Sequence, residues 1–101
     1  MADETLTVVV DAENVRRSIW PNVSRERLVE LVDRWAEGRD FDVLIVFEGE
    51  EESADDRIVR ETAALDRYWL VTSDRELRNR AGGGAERVIG GGSFVRELLD
   101  A

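Results

Sequence analysis

The sequence predicts an α/β fold: an open, doubly wound, mainly parallel sheet of about four strands with helices on both faces. Two observations carry this. Short runs are apolar almost without interruption, as strands buried on both faces are. Between them lie longer segments with helical apolar spacing and capping residues at their starts. The alternation β-α-β-α-β-α-β-α is the pattern of a parallel sheet.

Each element follows in order. "TLTVVV" (5–10) is β-branched and halts at Asp11. "DAENVRRSIWPNV" reads as a connection, with Pro21 and Asn22 marking a turn. Ser24 is a good N-cap, Leu28, Leu31, Val32 and Trp35 keep helical spacing, and Gly38 suits the end. "DVLIVF" (42–47) is a second buried strand running into the acidic loop "EGEEES". Ser53 caps a helix to about Leu65, with Ile58, Thr62 and Leu65 on one stripe. "YWLVT" is the third strand. Ser73 and Glu76 have the spacing of a capping box for a short helix ending near Arg80. "RVIG" is a short fourth strand, and Gly90–Gly92 lead into a last helix carrying Phe94, Val95, Leu98 and Leu99. The glycine clusters lack phosphate-loop spacing and read as turns.

The chain has 101 residues, the size of one domain, and the expectation is a single domain over 1–101. It contains no cysteine and no histidine, which excludes disulfides, thiolate or imidazole metal sites and histidine-based catalysis. The acidic start "MADETL" has no apolar signal region and there is no long apolar run, so a cytoplasmic protein without a membrane partner is expected. The net charge of −9 argues against an extended basic docking surface. All 14 basic residues are arginine, whose fork suits phosphate, though composition bias is the favoured explanation.

In such a sheet, ligands bind at the carboxyl ends of the strands, near the switch in strand order. The sequence sends its acids there. Asp11 ends the first strand, with Asn14 just beyond; Glu48 follows the second; Asp55 and Asp56 open the next helix; Asp74 follows the third. Taken singly, each has a structural explanation: Asp74 at a helix dipole, Asp56 in a capping box with Ser53, Glu48 in a solvated loop, Asn14 in a turn. Together they form a crowd of like charges that a cation relieves. Oxygen donors alone point to Mg²⁺ or Mn²⁺, ions that activate water and stabilise phosphoryl displacement.

Four stretches, in this order, resemble the motifs of NYN domains, a branch of the PIN-like nuclease superfamily, and of its YacP-like group. "VVVDAENV" resembles the "DGxN" opening, "LIVFEGE" the second-strand "VVFDG", "ESADDRIVRE" the "TADDxI" segment, and "WLVTSDRELRNRAGGGAERVIGGGSFVREL" the closing "VVTSDRxL" stretch and final helix. The resemblance spans nearly the whole chain. It implies a three-layer α/β/α PIN-like domain and a metal-dependent endoribonuclease acting on structured, messenger or ribosome-associated RNA. It further implies Asp11, Asp55 and Asp74 as metal ligands, with Glu48 added. Asn14 and Asp56 would be their catalytic helpers, and Arg16, Arg17 and Arg78 phosphate contacts. The chain departs from the pattern at Ala12, where glycine is usual, at Glu13, at Glu48 in place of aspartate, and at Arg78, where some relatives carry an acid. An alternative function is a PIN-like module that binds RNA or protein without cutting. A receiver-type phosphotransfer domain is a weaker third reading, disfavoured because the chain has no lysine.

Overall fold

The computed structural model describes residues 5–100; the initial "MADE" lies outside them. Nine elements follow one another: β1 (Leu6–Asp11), α1 (Ala12–Arg17), α2 (Arg25–Ala36), β2 (Phe41–Val46), α3 (Ala54–Ala63), β3 (Tyr68–Val71), α4 (Arg75–Ala81), β4 (Arg87–Ile89) and α5 (Gly91–Asp100). The strands form one all-parallel sheet in the order β2-β1-β3-β4. Five helices flank it, giving a three-layer α/β fold.

The pleat of β1 divides the core. Val8 and Val10 face one side, where they join Val15, Leu28, Val32, Trp35 and Phe94 from α1, α2 and α5. Val9 faces the other, against Val46, Ile58, Leu70 and Leu77, with α3 and α4 covering them. Period-2 alternation thus buries both faces of the central strand, as its unbroken apolar run requires. The larger core is closed by rings: Trp35 meets Phe94 edge-on at 4.9 Å and Phe41 at 5.1 Å. The Trp35 indole N–H is buried without a partner, while Arg39 lies over the ring face.

Three local expectations are corrected. The connection after Asp11 contains α1: Ala12 and Val15 are buried one turn apart and Glu13 pairs with Arg16 at 2.6 Å, which holds six residues helical. β2 is not buried on both faces. It is an edge strand, and only Val46 is fully buried. The short helix is capped by Asp74, whose side chain accepts from the Leu77 N–H, and not by a Ser73–Glu76 box. Elsewhere the expected caps hold. Ser24 accepts from the Arg27 N–H and Ser53 from the Asp56 N–H, while Gly38, past the end of α2, has φ +76°.

The strand order creates the switch point. From β1 the chain crosses to β2 on one side, then returns by way of α3 to β3 on the other. The carboxyl ends of β1 and β3 therefore diverge into opposite layers, leaving a crevice above their junction. Because the strands are parallel, the starts of α2, α3 and α4 and the loops before them all lie on this carboxyl side.

Candidate active site

Asp11 is the last residue of the central strand and the N-cap of α1, still extended at φ −77° and ψ 92°. The residue is 5% exposed. Oδ2 accepts a 2.8 Å hydrogen bond from the hydroxyl of Thr72, which is wholly buried at the end of β3. The same hydroxyl accepts from the Asp74 N–H at 3.1 Å. One threonine thereby fixes both the β1 acid and the backbone of the β3 acid, on the same end of the sheet. Thr72 is held in turn: its N–H donates to the Ile89 carbonyl, and its carbonyl accepts from Arg78 Nε at 2.9 Å.

A second set of bonds ties the strand tips together. Asn14 Oδ1 accepts from the Ser73 N–H, and Ser73 Oγ accepts from the Gly91 N–H at 2.8 Å. Gly91 comes so close that a Cβ would lie 2.5 Å from Asn14 Oδ1 and 2.8 Å from Ser18 Oγ. A side chain there would have to displace those two groups.

The charges are set against each other. Burial pushes the Asp11 carboxyl above its ordinary value, and repulsion from Asp55 adds to this; the Thr72 hydrogen bond and the Arg17 charge oppose it. Asp55, in the first turn of α3, is also raised, first by burial and then by Asp74, with Glu48 and Glu76 contributing; Arg80 opposes. Asp55 thus feels Asp11, Asp74 and Glu48 together. Four of the expected acids share one neighbourhood at the switch point.

Not every expected residue joins them freely. Asp56 turns to α4 and pairs with Arg80 at 3.0 Å. Glu48 Oε1 accepts from the Ala54 N–H and so caps α3. Asp74 Oδ1 caps α4. Among the described residues, no three acidic side chains converge closely enough to enclose a cation. The acids are neighbours, several with one oxygen tied to the frame, and do not form a closed cage. Arg16 is committed to Glu13 and to the Val23 carbonyl, and Arg78 to Thr72. Arg17 stays exposed beside Asp11. An open concavity of about 410 Å³ adjoins Glu48, but Glu50, Glu51 and Glu52 line it against Arg57 alone, so it repels a polyanion.

No family model, curated protein or solved structure matches the chain.

The placement of Thr72, Arg80 and Gly91 escapes sequence reasoning. Thr72 reads as the tail of a strand, Arg80 as the end of a helix and Gly91 as part of the lead into the last helix. Their partners lie 61, 24 and 18 positions away. Among the described residues no helix is long and apolar enough to cross a membrane.

Proposed function

We propose that this chain is a cytoplasmic, metal-dependent endoribonuclease of the NYN and PIN-like kind. One observation carries the reading: Asp11 and the Asp74 backbone meet at Thr72 on the sheet's switch point, and Asp55 lies near enough to repel both carboxylates. A fold does not by itself crowd like charges around a buried carboxylate. The donor set is carboxylate oxygen alone, which fits Mg²⁺ or Mn²⁺. Asp11, Asp55 and Asp74 would have to draw closer than they lie here to hold the ion, with the second oxygen of Glu48 at the margin. When bound, such an ion lowers the pKa of water and offsets charge on a phosphodiester. The protein's own part is orientation. Thr72 fixes Asp11, Asn14 holds the β3–α4 turn through Ser73, and Arg17 offers a cation beside Asp11.

The test is cleavage of a structured RNA in Mn²⁺ and in EDTA, by the wild type and by Asp11→Asn. The reading expects cutting in Mn²⁺ alone and at least about a hundredfold loss in the variant (an order-of-magnitude expectation for a lost charge contact at the reacting centre). Cutting that survives EDTA, or that Asp11→Asn leaves intact, refutes it.

A second reading is favoured by a specific observation: the oxygens of Glu48 and Asp74 engaged as helix caps, without a closed three-acid cage among the described residues. This is a PIN-like module that binds RNA or protein without cutting. RNA binding with no Mn²⁺-dependent product would select it.

A further inference from the structure

We propose that the chain forms a symmetric dimer in which β2 pairs antiparallel with β2 of a second copy, joining two four-stranded sheets into one. The inference stands apart from the ribonuclease reading and goes beyond it.

β2 is an open edge. β1 takes its inner side from Phe41 to Val46, and among the described residues nothing bonds to the backbone groups on its outer side. Such a row of free N–H and C=O groups is a template for another strand unless it is short, charged or covered. The opposite edge, β4, is protected by its length of three residues. β2 has six, and Asp42 is its one charge. Phe41, Val43 and Ile45 are half-buried on the larger core and Leu44 on the smaller. A strand laid alongside would take the rest of that apolar surface out of water.

Register decides which strand fits. In an antiparallel pair, two residues directly opposite are either both bonded to each other or both not. Two copies of one strand therefore meet about a twofold axis that passes through a residue. Like charges directly opposite are destabilising. An axis through Phe41 would set Asp40 against Asp42, and one through Asp42 would set that residue against itself. Through Leu44 it would set Asp40 against Glu48, through Ile45 Asp42 against Glu48, and through Val46 Asp42 against Glu50. Only Val43 remains. There Val43 meets itself, Phe41 meets Ile45, Asp42 meets Leu44, and no two acids oppose.

The same axis brings a cation to the acids. It sets the exposed Arg39 opposite Phe47 of the second copy. Arg39 lies over the Trp35 ring at 4.8 Å and its Nε donates to the Trp35 carbonyl at 2.9 Å, while among the described residues no carboxylate pairs with it. Phe47 lines the open concavity of about 410 Å³ together with Glu50, Glu51 and Glu52. Its one cation, Arg57, leans to Glu61, and Glu52 is taken by Arg60. Glu50 and Glu51 have no arginine among the described residues. Each copy thus brings the arginine that the acids of the other lack, and the twofold makes the contact twice. Because the paired strands run in opposite directions, the two acidic crevices open at opposite ends of the joined sheet.

The chain has no cysteine, so a single introduced one reports the register. Val43→Cys lies on the axis, with Cα atoms about 4.5–5.5 Å apart, within reach of a disulfide. Leu44→Cys would lie diagonally from its own copy at about 7–8 Å, beyond that reach. On oxidation Val43→Cys should cross-link and Leu44→Cys should not. Sedimentation equilibrium of the wild type, from about 1 μM to about 1 mM, should show a monomer passing to a dimer. Salt at about 0.15 M screens the −9 of each copy beyond about 8 Å. Arg39→Glu should keep a native circular dichroism spectrum and raise the dimer Kd at least about tenfold, and adding Glu50→Arg and Glu51→Arg should recover it. A wild type that stays monomeric throughout that range overturns the inference. A dimer that Arg39→Glu leaves unchanged uses another face and also overturns it, as does cross-linking through Leu44→Cys in place of Val43→Cys. If Val43→Cys fails to fold, the wild-type mass and the Arg39→Glu shift decide the matter alone.

Discussion

Replacing Thr72 with valine keeps the shape and β-branching of a wholly buried side chain and removes only its hydroxyl. Two hydrogen bonds go with it: the 2.8 Å donation to Asp11 Oδ2 and the 3.1 Å bond from the Asp74 N–H. The first is to a buried carboxylate, a class contributing about 1.5–3 kcal/mol; the second is neutral and part-buried, at about 0.5–1.5 kcal/mol. The expected loss at pH 7 is therefore about 2–4 kcal/mol. With a urea m-value of about 1.5 kcal/mol/M for a domain this small, a loss of about 3 kcal/mol lowers the midpoint by roughly 2 M. Thr72→Ser keeps the hydroxyl and should recover most of it. Because the Asp11 bond favours the ionised carboxylate, the loss should shrink as Asp11 protonates at acid pH. It should also shrink in an Asp11→Asn background, where the bond becomes neutral, giving a coupling of about 1–1.5 kcal/mol in the double-mutant cycle. Urea denaturation in EDTA at pH 7 measures all four proteins of the cycle. Equal losses in the wild-type and Asp11→Asn backgrounds would refute the claim that Thr72 holds the Asp11 carboxyl.

Three further outcomes follow from the same geometry. Asp11 and Asp55 both have folded-state pKa values raised above 3.8, so above that pH the folded protein binds more protons than the unfolded chain and these groups lose stability as pH rises through the raised values. Asp11→Asn or Asp55→Asn should therefore gain stability relative to wild type between about pH 4 and 7 in EDTA, and a relative loss over that window in urea melts contradicts the crowding. Gly91→Ala places a methyl against Asn14 Oδ1 and should cost about 1–3 kcal/mol by thermal melting, less when Asn14→Ala is present to make room. Asp74→Asn keeps a capping oxygen for the Leu77 N–H while Asp74→Ala loses it at about 1 kcal/mol, yet both should lose Mn²⁺-dependent cleavage; retained cleavage in either makes Asp74 only a cap.

What could be read from the sequence was what is local. The unbroken "TLTVVV" and "YWLVT" runs declare strands because burial on both faces leaves no polar alternation. Ser24 and Ser53 declare helix starts because a capping oxygen acts within three residues. Sequence patterning does not encode strand order, so β2 looks central and proves to be an edge. α1 is hidden because six residues span less than two turns, too few for a period to show. Ser73 and Asp74 are both good caps, and what separates them lies elsewhere: Ser73 is drawn off by the Gly91 N–H, leaving Asp74 to cap the helix. The candidate site shows the same division. The acids could be assigned to one sheet edge from strand ends alone. The hydroxyl that orients Asp11, the arginine that diverts Asp56 and the glycine that admits Asn14 depend on long-range contacts, and no local rule reports them.

The distribution of arginine gives the acidic site its meaning. This chain pairs acids readily: Arg60 takes Glu52 at 2.8 Å, Arg67 takes Glu86 at 2.6 Å, and Arg80 takes Asp56 at 3.0 Å. Those pairs are surface pairs, which contribute little to stability. Asp11 is the buried carboxylate, where an arginine would contribute most, and its one direct side-chain partner among the described residues is a neutral hydroxyl. Asp55 faces Asp74 and Glu48 with Arg80 acting only from its engagement with Asp56. An asparagine at position 11 would accept the same Thr72 hydrogen bond without the desolvation and repulsion that the carboxylate carries. The fold thus accepts a charge that its own architecture does not need, at the one place where a parallel sheet opens to a ligand. Such a charge is what the metal-dependent reading proposed above would account for, through a divalent cation held by carboxylate oxygens.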